Sequence, residues 1–205
     1  MSTVQLQRAH NPAPAPEDLV RADAYALVAS LMFAAPGREL LDTVARTPLL
    51  GDGQGELRDA WLALQGACRD ADTEAVRQEF DDLFVGVGHP PVRPYASWYL
   101  AGALNDAPLA ELREELAGLG FGRRPAVGYT EDHLSGLADV MRMLILDGTG
   151  DAGADMAAQR RFFEGFIKPW YSRLAQDMAA EPAVFYGAVG RFLKAFLDVE
   201  TTSFE

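Results

Sequence analysis

FDDLFVGVGHPPVRPYASWY, residues 80–99, is the most informative segment of the sequence for predicting the fold. Apolar side chains at helical spacing lead into it from Val76, and helical spacing resumes at Ser97. Residues 85–95 between them contain two glycines and three prolines, which exclude a continuous helix. The sequence therefore predicts two helices joined by a structured loop, with large apolar and aromatic side chains on both sides of it.

Helical periodicity extends over the rest of the chain, whereas the alternation typical of a strand is hard to find. A second loop is predicted at residues 120–130, with Gly120 closing the helix before it. We therefore predict an all-α fold, a single-domain helical bundle with long loops near 85–95 and 120–130. The last part of the chain is expected to form two long helices, the first of them over residues 156–174.

The N-terminal end differs in composition from the rest of the chain. Pro12, Pro14 and Pro16 alternate with alanine, so residues 1–16 are predicted to be a flexible leader. Residues 17–200 are predicted to form the helical domain. Inside it, the glycines of residues 147–154 indicate a flexible link between two helices.

The charge balance limits the classes of partner. The 205 residues contain 30 acidic and 18 basic side chains, a net charge of −12, whereas a general nucleic-acid binder needs Lys and Arg to neutralise phosphates. The chain has no secretory signal pattern and no apolar run approaching about 18 residues. We therefore expect a cytoplasmic protein that neither inserts stably into a membrane nor binds nucleic acid, and whose acidic surface favours a basic partner.

The residue patterns of common catalytic sites are missing or scattered. The chain has no phosphate-binding loop and no Gly-x-Ser-x-Gly, and Ser97 and Ser135 have no His or acidic residue at convincing spacing. Three histidines are too few for a His-rich metal site. The adjacent acids Asp81-Asp82 and Glu131-Asp132 point about 100° apart on a helix, so neither pair converges. We expect no catalytic residue, metal or cofactor, and Cys68 is predicted to be a core residue.

The feature that remains is the density of aromatic residues in 80–99. Aromatic side chains beside a rigid loop offer a large contact area at a low entropic cost, as in a groove for a peptide or protein partner. The alternative is that these side chains are core residues that hold the loop to the bundle. For Phe80, Phe84 and Tyr99 the sequence leaves both interpretations open.

The same segments carry a family resemblance. They are Phe80-Asp81-Asp82-Leu83-Phe84-Val85-Gly86, Pro94-Tyr95-Ala96-Ser97-Trp98-Tyr99, Asp132-His133-Leu134 followed by Met141, and Phe162-Phe163 ahead of Pro169-Trp170. In order and spacing they resemble the TorD/DmsD/NarJ family of redox-enzyme maturation chaperones, most of all its TorD/DmsD branch. The resemblance implies an all-α fold without catalysis. It also implies a protein that binds the precursor of a molybdopterin-containing oxidoreductase, often at its twin-arginine signal peptide, and delays export until the cofactor is inserted.

The resemblance further implies where the signal peptide binds. Asp132 and His133 are expected near the binding groove, with Asp132 as the acid that meets the client's arginines. Apolar and hydrogen-bonding walls are expected from Leu83, Phe84, Tyr95, Ser97 and Trp98. The residues alone also allow a local role, in which Asp132 lies in the first turn of a helix capped by Thr130 and His133 is buried.

Two departures from the family pattern concern the expected groove. The family commonly has Glu-Pro ahead of the x-Asp-His element, where this chain has Tyr129-Thr130, and often a His where Phe166 stands. These changes leave the expected fold intact. The absence of a carboxylate at position 129 weakens the acidic side of the expected groove.

Two other functions remain open at this point. One is an assembly factor of the NarJ type for a nitrate reductase, which would bind a segment of the mature domain or an N-terminus without an export signal. The other is a hydrolase that uses Glu131, Asp132 and His133. A mainly monomeric protein is expected in each case, and exchange of terminal helices through the glycine-containing link would give a domain-swapped dimer.

Overall fold

A computed structural model describes residues 14–48, 55–86, 88–122, 128–147 and 151–205. Most of the leader predicted at residues 1–16 lies outside these ranges, and Pro16 is already the first residue of the first helix. The link predicted at 147–154 is helical from Ala152 onward, with Asp151 as the N-cap, and residues 148–150 lie outside the described part.

Within the described ranges the chain forms ten α-helices and one π-helical turn. The helices are α1 (Pro16–Phe33), α2 (Arg38–Arg46), α3 (Glu56–Asp70), α4 (Thr73–Phe80), α5 (Ala96–Ala101), α6 (Ala107–Gly118), α7 (Leu134–Leu146), α8 (Ala152–Phe166), α9 (Tyr171–Ala180) and α10 (Val184–Ser203), and the π-helical turn is Asp81–Val85. The described residues contain no strand, only an isolated antiparallel bridge between Tyr95 and His133. The prediction of an all-α fold with a loop near 85–95 is confirmed.

The core forms where α1 packs on α7 and where α10 packs on two other helices. α1 packs along α7, while α10 lies against α3 and α9 and also contacts α4 and α1. The largest buried side chains include Trp170, Tyr25, Tyr186, Phe162 and Phe163. Phe80 and Tyr99 are buried as well, so these two belong to the core.

Cys68 on α3 is also buried, and burial raises the pKa of its thiol to about 11. Its prediction as a core residue is confirmed. No helix in the described ranges is both long enough and apolar enough to cross a membrane.

The N-terminus of α10 is capped from another helix. No side chain of its own caps α10. The Glu79 carboxylate of α4 instead accepts hydrogen bonds from the backbone N–H groups of Val184, Phe185 and Tyr186, at 3.0 to 3.3 Å. These groups would otherwise have no partner within the helix, so Glu79 fixes α4 against the start of α10.

The prediction of one helix over residues 156–174 is wrong. The chain forms α8 and α9 instead, separated by a turn at residues 167–170. Pro169 has no N–H to donate to the preceding helical turn, so a continuous helix would lose a hydrogen bond there. The Trp170 indole, which is buried, donates to the carbonyl oxygen of Phe166 at 2.6 Å and so satisfies one carbonyl at the end of α8.

Candidate functional site

The loop after the π-helical turn is held at both ends by backbone hydrogen bonds. Gly86 ends the turn with a φ of 39°, a value that favours glycine. The N–H of Val92 then donates to the carbonyl of Leu83 at 3.1 Å. Ala96 N–H donates to the carbonyl of Asp132 at 3.0 Å. Val92 is therefore held to the π-helical turn, and Ala96 is held to the segment that precedes α7.

Asp132 holds the start of α5 from 35 residues away in sequence. Its Oδ2 accepts hydrogen bonds from the backbone N–H of Ser97 at 3.0 Å and from the Ser97 hydroxyl at 2.5 Å. Its Oδ1 accepts from the Thr130 hydroxyl at 2.6 Å. Asp132 is 0% exposed. The expected contact with a client arginine does not fit this burial, because both carboxylate oxygens point at groups of the protein itself.

The start of α7 differs from the predicted one. Thr130 does not cap this helix, and Asp132 does not lie in its first turn. The N-cap is His133, whose Nδ1 accepts from the N–H of Ser135 at 3.2 Å and lies 2.7 Å from the Ser135 hydroxyl. Thr130 is the better N-cap by residue type, but its hydroxyl is bonded to Asp132.

His133 is 3% exposed, and burial lowers its pKa to about 4 although the nearby Asp132 acts in the opposite direction. The unfolded chain binds this proton near the ordinary pKa of 6.5. Between these values the unfolded state holds more protons than the native state, so stability should fall as the pH falls through this window. The expected loss is about 3 kcal/mol once the pH is below 4.

Urea denaturation at several pH values would measure this loss. His133→Asn is the matched variant, because asparagine also caps helices well but does not titrate. Its stability should depend less on pH between 6.5 and 4. If the free energy of unfolding of the two proteins changed with pH in the same way, His133 would not be held neutral by burial.

Beside these buried groups lies a partly exposed set of rings, which we call the tyrosine–histidine cluster: Phe33, Tyr95, Tyr129 and His133. Tyr129 stacks on the His133 ring with centroids 4.3 Å apart and planes 7° apart. Tyr95 and Phe33 approach these rings edge-on, Tyr95 at 4.8 Å from His133 and Phe33 at 5.7 Å from Tyr129. The Tyr129 hydroxyl also donates to the carbonyl of Phe33 at 3.3 Å. The cluster thus joins the end of α1 to the loop and to α7.

The seven site residues implied by the family resemblance divide into two groups. Leu83, Ser97, Asp132 and His133 are buried, while Phe84, Tyr95 and Trp98 are half-buried. Phe84 packs against Phe80 and Tyr186. The Arg93 guanidinium lies over the Trp98 ring, with its Cζ atom 4.0 Å from the ring centroid. The first group therefore positions the loop, and only the second has surface to offer a partner.

Phe33 is a candidate site residue that the sequence analysis missed. It is 49% exposed at the last position of α1. Packing of α1 along α7 brings it to Tyr129, which lies 96 residues away in sequence. A large aromatic residue three positions before Pro36, close to the end of the predicted first helix, is the signal that could have pointed to it.

The polar groups near α7 do not converge on one point. The expectation that Ser97 and Ser135 lack an acidic residue or histidine nearby is wrong, but they bond separately, Ser97 to Asp132 and Ser135 to His133. Glu131 pairs instead with Arg113 at 2.9 Å. Among the described residues, no group of three or more His, Cys, Asp or Glu side chains could hold a metal ion. The arrangement gives the hydrolase alternative no shared reaction centre.

Two comparisons with known proteins agree with this fold, and no curated protein matches the chain. Residues 51–176 match a family described as "Nitrate reductase delta subunit". The chain also resembles a solved structure named a "Putative Redox Enzyme Maturation Protein" from Archaeoglobus fulgidus, with 15% identity, a TM-score of 0.55, and coverage of 98% of this chain and 99% of the other. The family match spans more than half of the chain. The chain therefore belongs to the nitrate reductase delta subunit family, within the TorD/DmsD/NarJ group of non-catalytic redox-enzyme maturation chaperones.

Proposed function

We propose that the protein is a cytoplasmic chaperone for the precursor of a molybdopterin-containing oxidoreductase. In this proposal it binds the twin-arginine signal peptide, assists cofactor insertion and delays export. The observation that carries the proposal is the tyrosine–histidine cluster, a partly exposed aromatic surface on rigid elements of a chain that belongs to a chaperone family.

The cluster has the chemistry to receive an arginine. It lies at the C-terminal end of α1, where the helix dipole favours a positive charge and where the last turn contains no basic residue. A guanidinium over an exposed aromatic ring gains about 0.5–1 kcal/mol. The protein uses this contact internally, with Arg93 over Trp98 and Arg173 over Tyr99. The net charge of −12 also attracts a basic peptide.

The buried residues have a supporting role in this proposal. Asp132 fixes α5 and the loop, and His133 fixes α7 and provides the ring on which Tyr129 stacks. Tyr129 occupies the position where the family commonly has a carboxylate. The contact offered to a client at this position is therefore aromatic.

Phe33→Ala should weaken binding of a synthetic Arg-Arg signal peptide about fivefold, because it removes a half-exposed ring and the edge contact that holds Tyr129. A Lys-Lys version of the peptide should bind the wild type more weakly, since lysine lacks the planar guanidinium. Isothermal titration calorimetry measures both effects.

Leu62→Ala is the matched control, since Leu62 is 42% exposed on α3 and makes no ring contact with the cluster. It should leave the affinity unchanged. Equal affinity of Phe33→Ala and wild type for the Arg-Arg peptide would remove the cluster from the proposal.

A second candidate function comes from the description of the matched family. A nitrate reductase delta subunit type of assembly factor would bind the catalytic subunit of a nitrate reductase instead of an exported precursor. It would recognise a segment of the mature domain or an N-terminus without the Arg-Arg pair. This alternative would be favoured if the protein bound the signal peptide equally well with and without the Arg-Arg pair and also bound such a segment tightly.

A further inference from the structure

A groove lies between α1, α2, α3 and α10, and we call it the α1–α10 groove. Its volume is about 470 Å³, within the range of about 300–1,000 Å³ typical of ligand sites. Each of the four helices contributes apolar side chains, for example Leu27, Leu40, Trp61 and Phe196. None of the described residues that line it belongs to the tyrosine–histidine cluster, so the groove is a separate surface.

The main polar groups along the α1–α10 groove are already bonded within the protein. The hydroxyls of Ser30, Thr43 and Thr47 each donate to the carbonyl four residues earlier in the chain, all at 2.8 Å. Arg21, the basic residue of the lining, donates to the carboxylate of Glu200 at 2.8 Å. The surface that the groove offers is therefore mainly apolar.

Two apolar side chains of the groove are well exposed, and they lie where α1 begins and α10 ends. They are Val20 and Val199, which are 39% and 45% exposed. The ion pair between Arg21 and Glu200, the residues that follow them, joins the two helices at this end. Exposed apolar side chains beside an apolar groove form a surface suited to binding another segment.

Residues 1–13 join the structure close to this end of the groove. They lie outside the described ranges, and α1 begins at Pro16. Val20 lies four residues further along the helix, a distance of about 6 Å. The eight residues from Leu6 to Pro14 span up to about 26 Å when extended. Residues 1–13 are therefore long enough to lie over the exposed end of the groove.

The sequence of this segment has an apolar and a polar side. Residues 4–7 are Val-Gln-Leu-Gln. In an extended chain this alternation places Val4 and Leu6 on one side and the two glutamines on the other. Asn11-Pro12 is a pair that favours a turn, which would direct the segment back along α1. The pattern suits a segment that covers an apolar groove and turns its polar side to solvent.

The charges of the segment and of the start of α1 are complementary. Residues 1–13 contain Arg8 and no acidic residue, although the chain as a whole has a net charge of −12. Residues 16–23, the first turns of α1, contain three acidic side chains and one basic one. Electrostatic attraction therefore favours contact between the two parts of the chain.

We propose that residues 1–13 bind in the α1–α10 groove as an intramolecular ligand, with Val4 and Leu6 against Val20 and Val199. A short tether gives a segment an effective concentration in the millimolar range, so weak apolar contacts are enough to hold it. The bound segment covers apolar surface that would otherwise be free to bind a second copy of the chain. This inference concerns the protein alone and does not depend on its client.

A dissolved paramagnetic agent tests the proposal in the full-length protein, labelled with ¹³C at its valine methyl groups. The agent broadens the signals of solvent-exposed methyl groups. Val184 is the reference, because it is 80% exposed at the other end of α10 and does not line the groove. Exposures of 39% and 45% alone predict broadening at Val20 and Val199 about half that of the reference. With the segment bound, the broadening at both should be far below half.

Paired variants identify the occupant. Val4→Gln with Leu6→Gln removes the apolar side of the segment and should restore the broadening at the two groove valines to about half that of the reference. Gln5→Asn with Gln7→Asn is the matched control, because it changes two residues of the polar side. It should leave the groove valines protected. All four positions precede α1, so the sequence of the helical domain is unchanged.

Several outcomes would overturn the proposal. One is broadening at the groove valines that is already about half that of the reference in the wild type. Another is equal protection in the wild type and in the Val4 and Leu6 variant. Such protection would assign the groove to a second copy if it changed with protein concentration, and to residues 49–54 if Leu49→Gln with Leu50→Gln removed it. Equal loss of protection in the glutamine control would overturn the contact of Val4 and Leu6 with the groove.

Discussion

Asp132→Ala is expected to lower the free energy of unfolding by about 3 kcal/mol. The substitution leaves three donors without an acceptor, the Ser97 N–H, the Ser97 hydroxyl and the Thr130 hydroxyl, in a site that is 0% exposed. A buried donor without a partner costs about 1–3 kcal/mol, and nearby groups recover part of the sum. Urea denaturation followed by circular dichroism measures the change.

Asp82→Ala is the control for this variant, since Asp82 is exposed and bonds only to Gln78 within the described part of the chain. It should change stability by less than about 0.5 kcal/mol. Measuring both stability and peptide binding of Asp132→Ala separates a structural role of Asp132 from direct contact with the client. An Asp132→Ala protein of unchanged stability that no longer binds the Arg-Arg peptide would mean that Asp132 meets the client directly.

Arg21→Met is expected to be similarly costly, about 3 kcal/mol or more. Arg21 on α1 binds both carboxylate oxygens of Glu200 on α10, at 2.8 and 2.9 Å. Glu200 is 1% exposed and also accepts from the Tyr25 hydroxyl at 3.0 Å. Removing the guanidinium leaves a buried carboxylate without a cation. Such an unpaired buried charge destabilises the fold more than the loss of both charges does.

The double variant Arg21→Met with Glu200→Leu should therefore recover most of the stability lost in Arg21→Met. Lys194→Met supplies the comparison with a surface pair, because Lys194 and Asp198 are both more than one third exposed. Its effect should be below about 1 kcal/mol. If the double variant were less stable than Arg21→Met, the unpaired carboxylate of Glu200 would not be the cause of the stability lost in Arg21→Met.

The fold class followed from the sequence because helical spacing is a local property that packing did not override. Gly86 and Gly120 both take the positive φ expected where a helix ends. The break between α8 and α9 shows the limit of this approach. The apolar spacing continues through residues 167–170, but Pro169 removes a backbone donor there.

The caps were harder to predict because they come from distant segments. Thr130 is the typical N-cap by residue type, yet its hydroxyl serves Asp132 and His133 caps α7. Likewise, Glu79 caps α10 from more than 100 residues away. A capping residue and a distant helix start meet only when the helices pack together. The spacing of residues along a single sequence does not show this packing.

The candidate site was predictable only in part, for the same reason. Tyr95, Phe84 and Trp98 lie within residues 80–99, and each keeps exposed surface. Phe33 joins the site only because α1 packs along α7, and its one local sign is a large aromatic residue close to the end of a predicted helix. The sequence analysis correctly placed Asp132 near these residues. Because Asp132 is buried, however, it holds the start of α5 in place and has no surface to offer a partner.

The proposed function requires the protein to bind its client through the client's N-terminal targeting segment. Calorimetry of the full-length protein with the precursor of a molybdopterin-containing oxidoreductase, with and without that segment, tests this. The proposed function predicts binding to the intact precursor and at least tenfold weaker binding, about 1.4 kcal/mol, without the segment. Equal affinity for the two forms would contradict it.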